Sequence, residues 1–174
     1  GASTITINAA ARLAAAFGKR VLVCESDLHS GVIAELLALK PKASIQQTLE
    51  AADSAETLIW PRHVCHKDGV DFLLTRREYK AYQPVWHHYH HLLSFVSQRY
   101  DTVLVDMPDQ IDDGMAEVVQ SAKRVYVTTT PEILSLSLAH ERIAELHAMG
   151  VDASSLRVIV NRQHSTDMPS RQIE

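Results

Sequence analysis

The sequence predicts an open, doubly wound α/β fold in which a mostly parallel sheet carries helices on both faces. Short apolar runs of strand length alternate along the chain with segments whose apolar residues recur at helical spacing. Two of the runs end abruptly in acidic residues, as buried parallel strands do when they reach a solvent-filled crevice. The 174 residues, 46% hydrophobic and 22% charged, are typical of one ordinary domain with a buried core.

The predicted elements follow in the order that such a sheet requires. In the first helix, over 4–17, Ile5 and Leu13 recur at helical spacing, and Gly18 ends it. Further strands are predicted where a short apolar run is bounded by acids or turn residues, and further helices where the apolar period is longer. These strands are 21–24, 70–74, 102–106, 124–128 and 157–160, and these helices are 31–39, 44–52, 84–100 and 134–149.

Both ends of the sequence are interpreted as interruptions of longer elements. The chain opens in the first turn of a helix, without the strand that a doubly wound sheet needs at its centre. It closes on a loop and the start of another helix. We therefore expect residues 1–174 to form a single domain, as a fragment that lacks the first strand and the C-terminal elements.

Composition excludes several classes of protein. A formal net charge of -4 gives no basic surface for nucleic acid, which is normally bound by clustered Lys and Arg. Cys24 and Cys65 do not form a C-x-x-C pair, which favours a reducing compartment and two buried thiols. No run of about 18 apolar residues occurs, so no membrane segment is predicted. These features predict a cytoplasmic protein.

Polar residues gather where the predicted strands end. Ligands of open α/β sheets bind at the carboxyl ends of the strands. We therefore expect a binding site at that edge of the sheet. The polar residues at the predicted ends are Glu25, Asp27, Asp106, 128–130 and Asn161.

The first four residues enter the first helix with a pattern suited to phosphate. Gly1 permits a close backbone approach, and the free N–H groups and dipole of a helix start favour an anion. The hydroxyl of Ser3 is suited to a magnesium ion, as at the end of a phosphate-binding loop. For Gly1-Ala2-Ser3-Thr4 taken alone, a plain Ser/Thr helix cap is the alternative interpretation.

Read in order, five segments of the chain resemble the MinD/ParA family of P-loop ATPases, and within it the CpaE/TadZ pilus-assembly members. The segments are GAST before an Ala-rich helix, GKRVLVCESDLHSG, RYDTVLVDMPDQIDD, SAKRVYVTTTPEILSLSLAHERIAELHAMGV and VIVNRQ. The resemblance covers nearly the whole chain. It implies a P-loop ATPase-like domain with ATP and Mg²⁺ as cofactors.

The resemblance also implies a role for individual residues. Asp27 corresponds to the acid that positions the attacking water, and Asp106 to the Walker B acid that holds magnesium through water. Asn161 and Arg162 correspond to residues that lie against the adenine. The resemblance further implies an ATP-dependent homodimer, pilus or secretion machinery as partner, and recruitment to a cell pole or inner-membrane complex.

The chain departs from the family pattern at one position of the phosphate loop. Ala2 stands where the loop usually has Lys. Because phosphoryl transfer depends on charge stabilisation, losing this Lys predicts slow hydrolysis. A scaffold of the same fold that does not respond to nucleotide is the alternative.

Other interpretations remain open from the residues alone. Glu25 and Asp27 are also placed to cap the helix predicted near residue 31, and Asn161 is also a common turn residue. A receiver-like signalling domain shares the strand-end acids, but Asp27 and Asp106 are too far apart in sequence for it. A Rossmann dehydrogenase would require a further Gly after Gly1.

A histidine cluster at 87–91 suggests a metal site. Adjacent histidines do not share a helix face, and no acid or Cys lies nearby in sequence to complete a tetrahedron. We interpret the cluster as a solvated helix surface.

Overall fold

The computed structural model describes residues 1–51, 60–76 and 84–161. Within these residues strands and helices alternate for most of the chain, as predicted. The strands are β1 Val21–Glu25, β2 Cys65–Lys67, β3 Val70–Leu73, β4 Thr102–Asp106, β5 Val125–Thr129 and β6 Leu156–Val160. The helices are α1 Ala2–Phe17, α2 Ile33–Leu36, α3 Ile45–Ala51, α4 Trp60–His63, α5 Trp86–Ser97, α6 Asp113–Ser121 and α7 Ile133–Ala148, with a 3-10 turn at Ala153–Ser155.

The chain divides into two compact units, the first of which is Ala2–Val118. It contains a four-stranded sheet in the order β2-β3-β1-β4. β1 lies between β3 and β4 and is parallel to both. In this register Glu25 is the direct neighbour of Asp106, so the acids that end β1 and β4 lie side by side.

The central strand β1 packs its two faces into two separate apolar clusters. All five of its residues are buried, as predicted for a parallel strand covered on both sides. Leu22 and Cys24 join a cluster with residues of α3 and α5, whereas Val21 and Val23 join one with residues of α1 and α2. Helices therefore cover both faces of this sheet, which confirms the predicted fold class.

The pairing of β2 with β3 differs from the predicted alternation. β2 runs antiparallel to β3 and is joined to it by a tight turn at Asp68 and Gly69. Both turn residues have positive φ, 51° and 78°, as a two-residue hairpin turn requires. The prediction that strand and helix alternate throughout is wrong here, although Asp-Gly is itself a strong hairpin signal.

The second unit comprises Gly1 and the chain from Val119 onward. Its described part holds the parallel pair β5 and β6, with α7 packed on β5. α7 ends before Gly150, whose φ of 89° satisfies the predicted glycine cap. Asn161 directly follows β6, and its N–H donates to the carbonyl of Thr129 at 2.7 Å.

Two further features concern the described residues as a whole. No helix among them is long and apolar enough to cross a membrane. Cys24 is buried as predicted, whereas Cys65 is only partly buried. Burial raises the pKa of the Cys24 thiol to about 12, so this thiol stays protonated and unreactive.

Candidate functional site

The start of α1 and the end of β4 bring hydroxyls and a carboxylate into contact. Ser3 lies in the first turn of α1, and Asp106 is the last residue of β4. The hydroxyls of Ser3 and Thr6 lie near the Asp106 carboxylate, and hydrogen bonding to each of them lowers the pKa of this acid. The same helix turn has backbone N–H groups without partners inside the helix, which favours a bound anion.

Asp106 is a buried acid in a negatively charged environment. It is 5% exposed. Burial raises the pKa of this carboxyl above its usual value, and the charges of Glu25 and Asp27 raise it further, against the hydrogen bonds from Ser3 and Thr6. A divalent cation at this position would relieve the repulsion among the three acids.

Asp27 lies in the loop after β1 and is held within that loop. One oxygen of its carboxylate, Oδ1, accepts hydrogen bonds from the backbone N–H of His29 at 3.1 Å and of Ser30 at 2.8 Å. The side chain is half-buried. Asp27 therefore organises its own turn rather than the start of α2.

Glu25 has the capping role that the sequence left open. Its carboxylate is 1% exposed and accepts the N–H of Ile33, the first residue of α2, at 2.7 Å. Its other oxygen accepts the N–H of Thr75, which follows β3, at 3.0 Å. Glu25 thus caps α2 and connects the ends of β1 and β3.

A cleft of about 210 Å³ opens at this edge of the sheet. Among the described residues that line it, every charged side chain is an acid. The absence of Lys and Arg from this lining is consistent with the neutral Ala2 in the loop. The lining residues are Ala2, Ser3, Asp27, Ser30, Gly31, Val32, Asp106, Met107, Pro108 and Asp109.

The oxygen atoms at this cleft suit a magnesium ion, which needs few protein ligands. They do not suit a metal ion whose ligands all come from the protein. Magnesium is usually bound by one or two carboxylates, with water and substrate phosphates completing its six ligands. Ser3 and Asp106 supply a hydroxyl and a carboxylate of this kind. Among the described residues no group of three or more His, Cys, Asp or Glu side chains is arranged to hold a metal ion.

The structure brings four of the predicted site residues to one cleft, namely Ala2, Ser3, Asp27 and Asp106. Thr4 is exposed on α1, where its carbonyl accepts the amide of Asn8 at 2.7 Å.

The other predicted residues lie elsewhere in the chain. Gly1 and Asn161 belong to the second unit. Asn161 is at the carboxyl end of β6, as predicted. Arg162 lies outside the described residues. The roles of Asn161 and Arg162 toward adenine stay predictions.

The histidine cluster on α5 lies beside an acid that the sequence did not reveal. His90 and His91 are exposed, as predicted for a solvated surface, whereas His87 and His88 are only partly exposed. However, Nδ1 of His90 is 2.9 Å from Oε1 of Glu117 on α6, so the fold places an acid beside the cluster although none is near it in sequence. Glu117 is distant in sequence and is brought there by the packing of α6.

Sequence reasoning also missed Thr6 as a partner of Asp106. Ser3 and Thr6 are three residues apart on a helix, a spacing that places both hydroxyls on one face. This three-residue spacing of hydroxyl side chains was the sequence signal that could have indicated Thr6 beside Ser3. The hydroxyl at each position lowers the pKa of the Asp106 carboxyl.

The chain is similar to known proteins in one segment of its sequence and in its fold. No family model matches the chain. The septum site-determining protein MinD of Thermotoga maritima is 36% identical over 63 residues, which is 36% of this chain and 23% of that protein. The ParA family ATPase of Chlorobium tepidum superposes with a TM-score of 0.83 and 21% identity, over 97% of this chain and 70% of that one. The fold is that of the MinD/ParA ATPases.

A second solved structure with the MinD/ParA fold contains a ligand. MinD of Pyrococcus horikoshii, solved in complex with Mg-ADP, superposes with a TM-score of 0.72 and 18% identity, over 99% of this chain and 70% of that one. The chain is thus similar to MinD proteins in one sequence segment and to MinD/ParA ATPases in fold. The segment matched in sequence spans about a quarter of the curated relatives' length.

Proposed function

We propose that the full protein binds ATP with Mg²⁺ at this cleft and works as a weakly hydrolysing, MinD/ParA-like positional switch. One observation carries the proposal: Ser3, Asp27 and Asp106, from three separate segments, line a single cleft at the start of a helix. A helix cap alone would not require the two acids. A buried acid whose pKa is raised, as that of Asp106 is, is typical of functional sites.

Each residue of the cleft has a distinct task in this proposal. The free N–H groups at the start of α1 bind the phosphates. Ser3 and Asp106 hold the magnesium, which neutralises phosphate charge when it is bound. Asp27 orients the water that attacks the terminal phosphate. Protein groups contribute positioning and charge stabilisation rather than covalent chemistry.

Ala2 makes turnover slow in this proposal. It lines the cleft but carries no charge toward the phosphates. Losing a cation there lowers the hydrolysis rate more than it weakens binding, because backbone donors and magnesium still hold the nucleotide. A slowly hydrolysing protein stays in its ATP-bound state for long periods, which suits a marker of cellular position.

The cellular role proposed is the assembly or polar localisation of a Flp/Tad-type pilus secretion system. Its support is the resemblance of the five sequence segments to CpaE/TadZ proteins together with Ala2 in the phosphate loop. In this role the cytoplasmic protein dimerises when it binds ATP and is recruited to a cell pole or inner-membrane complex. Its partners are the proteins of the pilus machinery.

Calorimetry with the full-length protein tests the proposal directly. ATP is titrated with Mg²⁺ and again with EDTA, and binding is expected only with Mg²⁺. The control variant is Ser137→Ala, which removes an exposed hydroxyl from α7. Ser3→Ala is expected to weaken binding, whereas Ser137→Ala leaves it unchanged. Immeasurably weak ATP binding with Mg²⁺ would replace the ATPase by a nucleotide-insensitive scaffold of the same fold.

Restoring the missing charge tests the alignment of the phosphate loop. Ala2→Lys is expected to tighten ATP binding by about 1 to 3 kcal/mol, because one charge-assisted hydrogen bond is regained. Calorimetry measures this difference, and Ala9→Lys on the exposed part of α1 is the matched control. If Ala2→Lys binds ATP no better than the parent, residue 2 does not face the phosphates.

A further inference from the structure

Thr75 connects the end of β3 to the loop that carries Asp27. It is 7% exposed and directly follows the buried Leu74. Its hydroxyl donates to the backbone carbonyl of Asp27 at 3.1 Å, and the carbonyl of Glu25 lies further away at 3.4 Å. The hydroxyl therefore holds the main chain of the loop at the residue assigned to the attacking water.

Glu25 makes the second connection between the same segments. Its carboxylate accepts the N–H of Thr75 at 3.0 Å and the N–H of Ile33 at 2.7 Å. Ile33 follows the loop that carries Asp27, whereas Thr75 belongs to a segment that is 50 residues from Glu25 in sequence. The loop is thus held at its end by Glu25 and at Asp27 itself by Thr75.

The packing at Gly31 shows how closely the loop lies against this carboxylate. A Cβ atom added at Gly31 would be 2.6 Å from Cδ of Glu25, closer than real Cβ contacts. Because Glu25 is buried and hydrogen-bonded on both oxygens, it cannot move aside cheaply. The loop at Gly31 therefore lies directly against a buried side chain that is itself held by two hydrogen bonds.

We propose that Thr75 is a positioning residue that fixes the direction of the Asp27 carboxylate through the Asp27 carbonyl. The hydrogen bond to the carbonyl limits rotation of the peptide between Asp27 and Leu28. The carboxylate then keeps its bonds to the N–H groups of His29 and Ser30. The effect of Thr75 on catalysis rests on the proposed function, in which Asp27 orients the attacking water. That water must be oriented within a fraction of an ångström, so a small rotation of the carboxylate lowers the rate.

Two substitutions separate the hydroxyl from the rest of the side chain. Thr75→Val keeps the shape and the backbone N–H but removes the donor, whereas Thr75→Ser keeps the donor and removes a methyl group. In the full-length protein we expect Thr75→Val to lower kcat for ATP roughly tenfold with KM changed less than about twofold. Thr75→Ser is expected to restore kcat, which a role in packing alone would not predict.

Amide hydrogen exchange supplies a measurement that does not need hydrolysis. Thr75→Val is expected to lose protection at His29 and Ser30, while Val23 in the core of β1 keeps its protection relative to global stability. Thr75→Ser is expected to match the parent at all three amides. Equal protection of His29 and Ser30 in the Val variant and the parent would overturn the positioning role, whether or not ATP is hydrolysed.

The two proposals fail in different ways. If the parent protein binds no ATP, the proposed function is wrong. Amide hydrogen exchange of the parent and the Thr75 variants still decides whether Thr75 orients Asp27. If the parent hydrolyses ATP, and Thr75→Val and Thr75→Ser lower kcat and KM to the same extent, the positioning role is wrong. The proposed function is then unaffected.

Discussion

Acidic side chains have opposite environments at the two ends of the parallel strands of the four-stranded sheet. We call the end where β1 and β4 finish the carboxyl edge, and the end where they begin the amino edge. At the carboxyl edge, where β1 and β4 end, burial raises the pKa of Asp106, and the charges of Glu25 and Asp27 raise it further. At the amino edge, acids are matched with donors. Asp101 pairs with Arg20 at 3.1 Å, and the bond to this guanidinium holds the pKa of Asp101 below its usual value.

The amino edge also contains a chain of hydrogen bonds that satisfies its partly buried groups. Trp60 Nε1 donates to the hydroxyl of Tyr100 at 2.6 Å, and this hydroxyl donates to Asp71 at 2.6 Å. His66 Nδ1 lies 2.8 Å from the other oxygen of Asp71. Burial raises the pKa of Tyr100, and Asp71 raises it further, so the phenol remains a donor.

Cavity size does not distinguish the functional edge from the structural one. The amino edge has the larger cleft, about 310 Å³ against about 210 Å³ at the carboxyl edge. Its acids already have partners within the protein, whereas the carboxyl edge concentrates like charges beside a helix start. Repulsion between neighbouring acids in the folded protein is better evidence for a ligand site than the volume of a cleft is.

The largest expected effect comes from removing the central acid of the carboxyl edge. Asp106→Asn is expected to weaken Mg²⁺–ATP binding by roughly 100-fold, about 3 kcal/mol, because a ligand carboxylate is lost. Asn still accepts hydrogen bonds from Ser3 and Thr6, and repulsion with Glu25 is removed. Urea unfolding without nucleotide should therefore show a stability equal to or above the parent's.

The matched control for that variant lies at the amino edge. Asp101→Asn removes an exposed acid that already has a partner in Arg20. Calorimetry is expected to give the parent's affinity for Mg²⁺–ATP. If both variants lose binding to the same extent, the distinction between the two edges is wrong.

A smaller effect, on stability rather than binding, is expected from the amino edge. Tyr100→Phe removes the hydrogen bond of Trp60 and one of the two contacts of Asp71, so the free energy of unfolding should fall by about 1 to 2 kcal/mol. Urea unfolding measures it. The control is Tyr126→Phe, which changes an exposed tyrosine on β5 and should leave stability unchanged.

Binding of Mg²⁺–ATP by Tyr100→Phe sharpens the comparison. The affinity is expected to equal the parent's, since this residue lies at the opposite end of the strands. A weakened affinity with the fold intact would mean that the two edges are energetically connected through the sheet.

Sequence predicted much of the carboxyl edge because its signals are local. An acid after a buried apolar run predicts Asp27 and Asp106 at a strand end, and a polar helix start predicts Ser3 beside them. The connections that hold this edge together were not predictable. Thr75 reaches Glu25 across 50 residues of sequence, and no local pattern encodes that distance.

The amino edge was predicted poorly for the same reason. Trp60 meets Tyr100 only through the packing of α4 against the end of α5. The hairpin of β2 and β3 was missed although Asp68 and Gly69 carried a local signal for it. Tertiary contacts decide most of this edge, whereas turn chemistry would have revealed the hairpin.

The smallest expected effects are in the pH dependence of stability, where the two edges should have opposite signs. Asp106 has a raised pKa, so the nucleotide-free folded protein keeps a proton that the unfolded chain has lost. Stability therefore falls as pH rises through the window above the usual value of 3.8. Asp101 has a lowered pKa, so its contribution is present above 3.8 and is lost as pH falls through its folded-state value.

Urea unfolding from about pH 3 to pH 7 resolves these two contributions when each acid is replaced in turn. Asp106→Asn should remove the loss of stability on the rising side of 3.8, and Asp101→Asn should remove part of the loss on the acid side. Salt should weaken the Asp101 effect more, because that pair is exposed and screened. Magnesium and ATP should reverse the Asp106 contribution, since they bind the ionised acid and their affinity rises with pH over the same window. An Asp106→Asn profile identical to the parent's would show that the pKa of Asp106 is not raised in the folded protein.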